Sequence, residues 1–183
     1  MDRWDNRAKA DDLNNDGIDL YDQGCFEDAV KCFDEAIRLI PEDELLWCHK
    51  GMSLHYLENY EESVKCFDEL IWLNPQHSDS WNFKGMSLHY LENYVESVKC
   101  FDEAIWLNPQ HDAAWYNKGT VLLHLENYDE SLTCYNKSIM INSNCSECWH
   151  NKGVAFEELG EYSKAIKCFD QANFLKGGLD ESE

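Results

Sequence analysis

The 28-residue stretch KGMSLHYLENYEESVKCFDELIWLNPQH that begins at Lys50 returns 34 residues later, from Lys84, as KGMSLHYLENYVESVKCFDEAIWLNPQH. The same offset runs beyond the two near-copies. Trp47, Trp81, Trp115 and Trp149 follow it, as do Gly17, Gly51, Gly85, Gly119 and Gly153, and the ring series Phe33, Phe67, Phe101, Tyr135 and Phe169. Five units tile the chain without a gap: 10–43, 44–77, 78–111, 112–145 and 146–179. Residues 1–9 form an N-terminal extension and 180–183 an acidic tail. A fixed period of this size predicts a solenoid, because each unit buries its apolar face only by stacking on its neighbours.

Each unit reads as two helices. In the second, helix A is predicted over about 44–57 and helix B over about 61–74, with Glu58-Asn59-Tyr60 as the turn. Trp47, Gly51 and Leu54 lie at i, i+4 and i+7 on helix A. Val64, Phe67, Leu70 and Ile71 make the facing stripe on helix B. Pro75 ends helix B, since proline cannot continue the backbone ladder. Glycine at 51 and its equivalents has no Cβ, which lets the two helices approach closely.

The units resemble tetratricopeptide repeats, whose pattern is Trp-x2-Leu-Gly-x2-Tyr, then Ala-x3-Phe, then Pro. Trp47, Gly51, Phe67 and Pro75 match it in the second unit, with Lys50, Leu54 and Ser63 at the leucine, tyrosine and alanine places. Trp81, Gly85, Phe101 and Pro109 match in the third. The first unit has Leu13 for the tryptophan, and the last has no proline. The resemblance implies five helix-turn-helix repeats in a right-handed α-solenoid that acts as a protein-protein interaction scaffold. It implies a peptide or helix bound in the concave groove lined by helix A of each unit. On this chain those positions are Leu45, Cys48, Met52, His55 and Tyr56, then Asp79, Asn82, Met86, His89 and Tyr90, then Tyr116, Thr120, Leu123 and His124. Family members that grip an acidic C-terminal tail use a lysine-asparagine-arginine clamp. Asn14, Ile18, His49, Asp79 and Phe83 stand there instead, without the cations.

The groove set is aromatic, methionine-rich and bears histidines, which suits an irregular apolar partner. Net charge is −21. It is graded, the five units carrying −9, −4, −3, −2 and −1. Asp11 and Asp22 flank the set on one side, and Glu147, Glu157 and Glu158 on the other. The expected partner is therefore an amphipathic segment with basic flanks. Nucleic acid is excluded as a partner, since a negative field repels phosphates. There is no run of about 18 apolar residues to span a membrane and no signal peptide. With nine cysteines, an odd number spread through repeats, a cytoplasmic, reducing location with free thiols is expected.

Chemistry has little footing. The chain carries no Gly-rich phosphate loop, nucleophile elbow or HExxH, so neither catalysis nor a cofactor is expected. Asp12 to Gly17, DLNNDG, mimics the start of a calcium loop, but Gln23 stands where the closing glutamate belongs. Lys50, Lys84, Lys118 and Lys152 are expected to lay their stems on the protein and their ammonium groups in water. Cys32, Cys66, Cys100, Cys134 and Cys168 are small core residues one repeat apart, too distant to pair. Cys145-Ser-Glu-Cys148 is a CxxC at a helix start. A thiol or zinc site there is a third functional reading, although further ligands are not visible.

The second reading is self-association. Trp72 and Trp106 share a polar helix face with Lys65, Asp68 and Glu69, or Lys99, Asp102 and Glu103. Met140 and Phe174 continue the row. These rings form either a second contact surface or a cover over the seam between neighbouring B helices. Part of the face of the last repeat, with Ile166, Phe169, Phe174 and Leu175, is expected to lie open, so that either the chain is cut from a longer one or that end pairs with another copy as a homo-oligomer.

Overall fold

The computed structural model describes residues 3–177, and for 3 and 4 the backbone alone. The acidic tail at 180–183 lies outside the described residues. Those residues form ten α-helices and no strand: α1 (Arg3–Asp22), α2 (Phe26–Leu39), α3 (Glu44–Tyr56), α4 (Tyr60–Leu73), α5 (Ser78–Tyr90), α6 (Tyr94–Leu107), α7 (Asp112–His124), α8 (Tyr128–Ile141), α9 (Ser146–Glu158) and α10 (Tyr162–Gly177). Odd-numbered helices are helix A of a repeat and even-numbered ones helix B. Helix α1 begins at Arg3, so residues 3–9 continue helix A of the first repeat rather than standing apart from it. It also places the whole DLNNDG stretch in mid-helix. The chain divides into two compact units, Met1–Asn93 with α1–α5 and Tyr94–Glu183 with α6–α10.

The turn inside each repeat is fixed by backbone bonds. Helix α3 stops at Tyr56 and α4 starts at Tyr60, one residue before the predicted start. Asn59 N–H donates to the Leu54 carbonyl at 2.9 Å and Glu58 N–H to that of His55 at 3.0 Å. This is the two-bond pattern that closes a helix through one left-handed residue. That residue is Glu58, at φ 59°. Its equivalents are Gly24, Glu92, Glu126 and Gly160, all at positive φ. Only the first and last repeats place glycine where the backbone asks for it.

The connection between repeats is fixed by side chains. Trp47 Nε1–H donates to the Pro41 carbonyl at 2.8 Å, and Trp81 and Trp115 do the same to Pro75 and Pro109. The proline therefore ends helix B and also presents the acceptor for the tryptophan six residues on. Asp43 caps α3 through the Leu45 N–H, and His77 Nδ1 caps α5 through the Ser80 N–H. The last connection differs. Ser143 replaces the proline, and Trp149 Nε1 is buried with no acceptor.

Packing within a repeat turns on one contact. A Cβ at Gly51 would stand 2.9 Å from Phe67 Cζ, and one at Gly153 would stand 2.6 Å from the Phe169 ring. Glycine lets helix A rest on the ring edge of helix B. Phe33, Phe67, Phe101 and Tyr135 are 1% exposed or less. Ser63, at the family's alanine place, donates to the Gly51 carbonyl at 2.9 Å. Ser131 does so to Gly119 at 2.8 Å. These hydroxyls are fully buried and satisfied.

Three sequence expectations are corrected here. The repeat lysines do not end in water. Lys50 Nζ lies 2.6 Å from Asp34, Lys84 2.6 Å from Asp68, and Lys118 2.6 Å from Asp102, and each lysine side chain is only about a fifth exposed. Helix A of one repeat is thus tied to helix B of the repeat before it. Asn136 occupies the corresponding place before Lys152, which instead lies over the Trp149 ring at 4.6 Å. Second, the tryptophan row does not cover a seam. In the first unit Trp72 is 78% exposed; in the second, Trp106, Met140 and Phe174 are 72%, 78% and 71% exposed. Third, the cysteines are not all free thiols. Cys145 and Cys148 form a disulfide, because three residues on a helix start bring their Cα atoms to 5.3 Å. A local CxxC needs no long-range framework, so the odd cysteine count did not speak to it. The helix-B cysteines are free, and Cys66, Cys100, Cys134 and Cys168 are buried. Burial pushes the Cys66 thiol up to about 12 and the Cys134 thiol up to about 11.

Candidate peptide-binding surface

In the first unit the surface is made by α1, α3 and α5. Cys48, Met52, His55, Met86 and His89 are half-buried there, while Tyr56 and Tyr90 are more than half exposed. The sulfurs are held in place. Cys48 Sγ lies 3.9 Å from Met52 Sδ, and Asn82 Nδ2 lies 3.7 Å from Met86 Sδ. Asn82 itself is 4% exposed, so it supports Met86 and presents no surface of its own. Burial, with the Asp79 carboxylate nearby, pushes the Cys48 thiol up to about 11. Leu45, 60% exposed, opens the α3 end of the face.

A buried polar chain locks α3, α4 and α5 behind this face. Ser63 and Ser87 hydroxyls lie 3.0 Å apart, and His55 Nδ1 lies 3.0 Å from Ser87 Oγ. Ser63 donates to the Gly51 carbonyl at 2.9 Å, and Ser87 donates to the Phe83 carbonyl at 3.2 Å. Ser87, with its one proton so used, accepts from His55. This assigns Nδ1–H to the neutral imidazole. Burial lowers the pKa of His55 below the usual histidine value. It does the same to His49, whose Nδ1 lies 3.0 Å from Asn14 Oδ1, against a smaller opposing pull from Asp43.

Along the turn edge runs an aromatic ladder that the sequence reading missed. Phe26 stacks on Tyr56 at 5.1 Å, and Tyr60 stacks on Tyr90 at 4.7 Å. Tyr21 meets both Phe26 and Tyr56 edge-on. Its hydroxyl pKa is raised by burial and by the Tyr56 hydroxyl. In the second unit Tyr94 stacks on His124 at 6.0 Å. The signal was present in the sequence, since Phe26, Tyr60, Tyr94, Tyr128 and Tyr162 recur at the repeat period. Each opens a helix B, and Phe26, Tyr60 and Tyr94 meet the end of helix A in the following repeat. Tyr56 and Tyr90 are thus rungs of this ladder as well as surface residues.

The second unit contributes its own, more polar face from α7 and α9. Tyr116 is half-buried, and its hydroxyl accepts from Asn151 Nδ2 at 3.3 Å. Thr120 donates to its own helix, at the Tyr116 carbonyl, at 3.2 Å. His124 is exposed, and its Nδ1 lies 2.8 Å from the Thr120 carbonyl, so that nitrogen carries the proton. Leu123 is half-buried beside them.

Electrostatics are one-sided. Helix α1 carries Asp5, Asp11, Asp12, Asp16, Asp19 and Asp22 against Arg3, Arg7 and Lys9. Arg7 is shared between Asp11 and Asp43, each at 3.0 Å. The exposed Asp16, Asp19 and Asp22 continue toward the Tyr21 end of the ladder. Glu147, Glu157 and Glu158 are exposed on α9. Among the described residues no group of three or more histidines, cysteines or carboxylates could hold a metal, and no helix is long and apolar enough to cross a membrane.

Comparison with known proteins places this arrangement. No curated protein matches the sequence. The first listed solved structure, a MamA protein, superposes with a TM-score of 0.81 at 17% identity, covering 96% of both chains. MamA 41-end from Desulfovibrio magneticus RS-1 gives 0.84 at 20%, covering 94% of this chain and 97% of that one. YrrB, described as a TPR protein with an unusual peptide-binding site, gives 0.71 at 20%, with 90% and 85% covered. At these identities the likeness is one of fold. Two family models of the tetratricopeptide repeat match the sequence itself, one at residues 45–77 and 78–111, the other at 113–145 and 146–172. Together these matches span more than half of the chain, which belongs to the tetratricopeptide repeat family.

Proposed function

We propose that the chain is a protein-interaction scaffold, and that α3 and α5 dock an amphipathic peptide or helix with basic flanks. The observation that carries this is the half-exposed Met52/Met86 pair, bracketed by Tyr56 and Tyr90 and backed by the Ser63–Ser87–His55 chain. Thioethers adapt to irregular apolar side chains, and tyrosine rings add contact area with a polar tip. The support behind them is hydrogen-bonded and packed, so little ordering entropy is lost on binding. Acidic α1 supplies attraction and orientation for a basic segment. Tyr116, Thr120 and His124 are the corresponding positions in the second unit.

Peptide display on the immobilised chain tests this. Selected sequences should pair apolar residues at helical spacing with flanking lysine or arginine. Their Kd should weaken by about tenfold or more in Met52→Glu/Met86→Glu, the equivalent of losing about 1.4 kcal/mol. Equal affinity for wild type and variant would overturn the assignment. Added salt should slow association far more than it speeds dissociation.

A second reading, self-association, is favoured by the exposure of Trp106, Met140 and Phe174 on the B helices of the second unit. Ile166 is 59% exposed on the same helix as Phe174. Light scattering at two concentrations, on wild type and Trp106→Glu, decides it. A mass that rises with concentration only in the wild type supports this reading.

A further inference from the structure

We propose that Cys145 and Cys148 form a reversible thiol–disulfide exchange site at the start of α9, whose co-reactant is a small thiol or dithiol. Four observations meet there. The two sulfurs are bonded. Cys145 is the N-cap of α9, partly exposed, and its sulfur accepts the Cys148 N–H at 3.1 Å. Cys148 is fully buried. Ser138 Oγ lies 3.1 Å from Cys148 Sγ. A disulfide sulfur has no proton to give, so the serine hydroxyl is the donor.

This asymmetry gives the two sulfurs different parts. An incoming thiolate can reach only Cys145. Its sulfur bonds to Cys145 Sγ as the Cys145–Cys148 bond breaks, and the electron pair leaves on Cys148 Sγ. The departing thiolate sits at a helix start, where the peptide dipoles favour negative charge, and keeps the Ser138 hydroxyl as a donor. It then takes a proton from solvent. A second external thiolate attacks the mixed disulfide and releases Cys145. The protein disulfide is reduced by two electrons, and two small thiols become one small disulfide. The reverse path reoxidises the pair, with a small disulfide as oxidant.

The backbone has no need to move between the two states. Cα atoms 5.3 Å apart suit a disulfide, and the Cys145 sulfur already acts as the helix cap. The site is also particular to this connection. In the three repeats before it the loop between B and A carries proline and locks the tryptophan. Here Ser143 stands for the proline and the Trp149 indole has no acceptor, so this start of helix A lacks the latch. The cysteine pair stands in the place of that tie.

The full-length chain, with Cys25→Ser to remove its one exposed free thiol, would be equilibrated in glutathione buffers of graded ratio. It would be quenched in acid, alkylated and read by mass spectrometry of the peptide holding both residues. The proposal expects zero or two alkyl groups on that peptide, interconverting with the buffer in both directions while the chain stays folded. Ser138→Ala should reduce about threefold to tenfold more slowly, because the leaving thiolate loses a hydrogen bond. Two results would overturn the proposal. One is a pair that stays oxidised in excess dithiothreitol until the chain is unfolded. The other is a pair that stays reduced in oxidised glutathione. An unchanged rate in Ser138→Ala would remove the serine from the site.

Discussion

Two groups of residues are held against their own preference. Glu58, Glu92 and Glu126 adopt left-handed backbone, which costs an L-residue roughly 1–2 kcal/mol. Glycine already serves at the equivalent Gly24 and Gly160. Substituting glycine at any one of the three should stabilise the chain by up to about 1 kcal/mol, after the extra unfolded-state entropy of glycine is subtracted. Urea unfolding of each single variant measures this, and a destabilised variant would contradict the turn geometry. His49 and His55 are half-buried, and burial lowers the pKa of both. Their folded forms bind protons less readily than free histidine, so the stability tied to their neutral state is complete above about pH 6.5 and is lost as the pH falls below it. The acidic surface has its own pH dependence. The readout is therefore the difference between wild type and His55→Gln, which should widen in the variant's favour from pH 7.5 to 5.5. A difference that does not change with pH would show that the imidazole is not held neutral.

Much at this scale was legible from residue type alone. Gly51 and Phe67 follow from spacing, and the structure supplies only the 2.9 Å that makes a Cβ intolerable. Gly51→Ala should accordingly cost about 1–3 kcal/mol through overpacking, measured in the same unfolding experiment. The lysine pairs were half legible. Asp34, Asp68 and Asp102 keep the period, and Asn136 breaks it, yet the pairing crosses from one repeat to the next. A reading made inside each repeat could not find it.

At the scale of elements, helix order and type were readable because proline, glycine and ring periodicity all agreed. What was not readable was continuity and exposure. Helix α1 runs on from Arg3 because neither proline nor glycine interrupts residues 3–9, whereas the repeat period has no purchase on residues outside it. Trp72 and Trp106 shared a face with charged residues, which left open whether they leaned into a seam; only side-chain placement settled that. The A-to-B ties are testable here. Asp68→Asn with Lys84→Gln should show a coupling below about 1 kcal/mol, because Asp68 is half exposed and solvent screens such a pair. A coupling of several kcal/mol would mean that the bridge carries more of the repeat interface than its geometry allows.

At the scale of the whole molecule, repetition makes nearly equal sites and small departures from it make function. The second and third repeats share Met, His and Tyr at the same places, the first carries acidic charge, and the fifth carries the cysteine pair. Charge grading from −9 to −1 was countable in the sequence. The groove positions came from family likeness, and the structure adds which of them have surface to offer. Met52, Tyr56, Met86 and Tyr90 do, and the buried Asn82 does not.

The chain holds four methionines, Met1, Met52, Met86 and Met140, which suit a direct measurement. With 13C-methyl methionine, a display-selected basic amphipathic peptide would be titrated in while the four methyl resonances are followed by NMR. The proposed docking surface predicts that Met52 and Met86 shift together and saturate, while Met140, 78% exposed on α8, stays in place. A shift at Met140 with Met52 and Met86 unmoved would contradict the account, and would assign binding to the exposed row on the B helices.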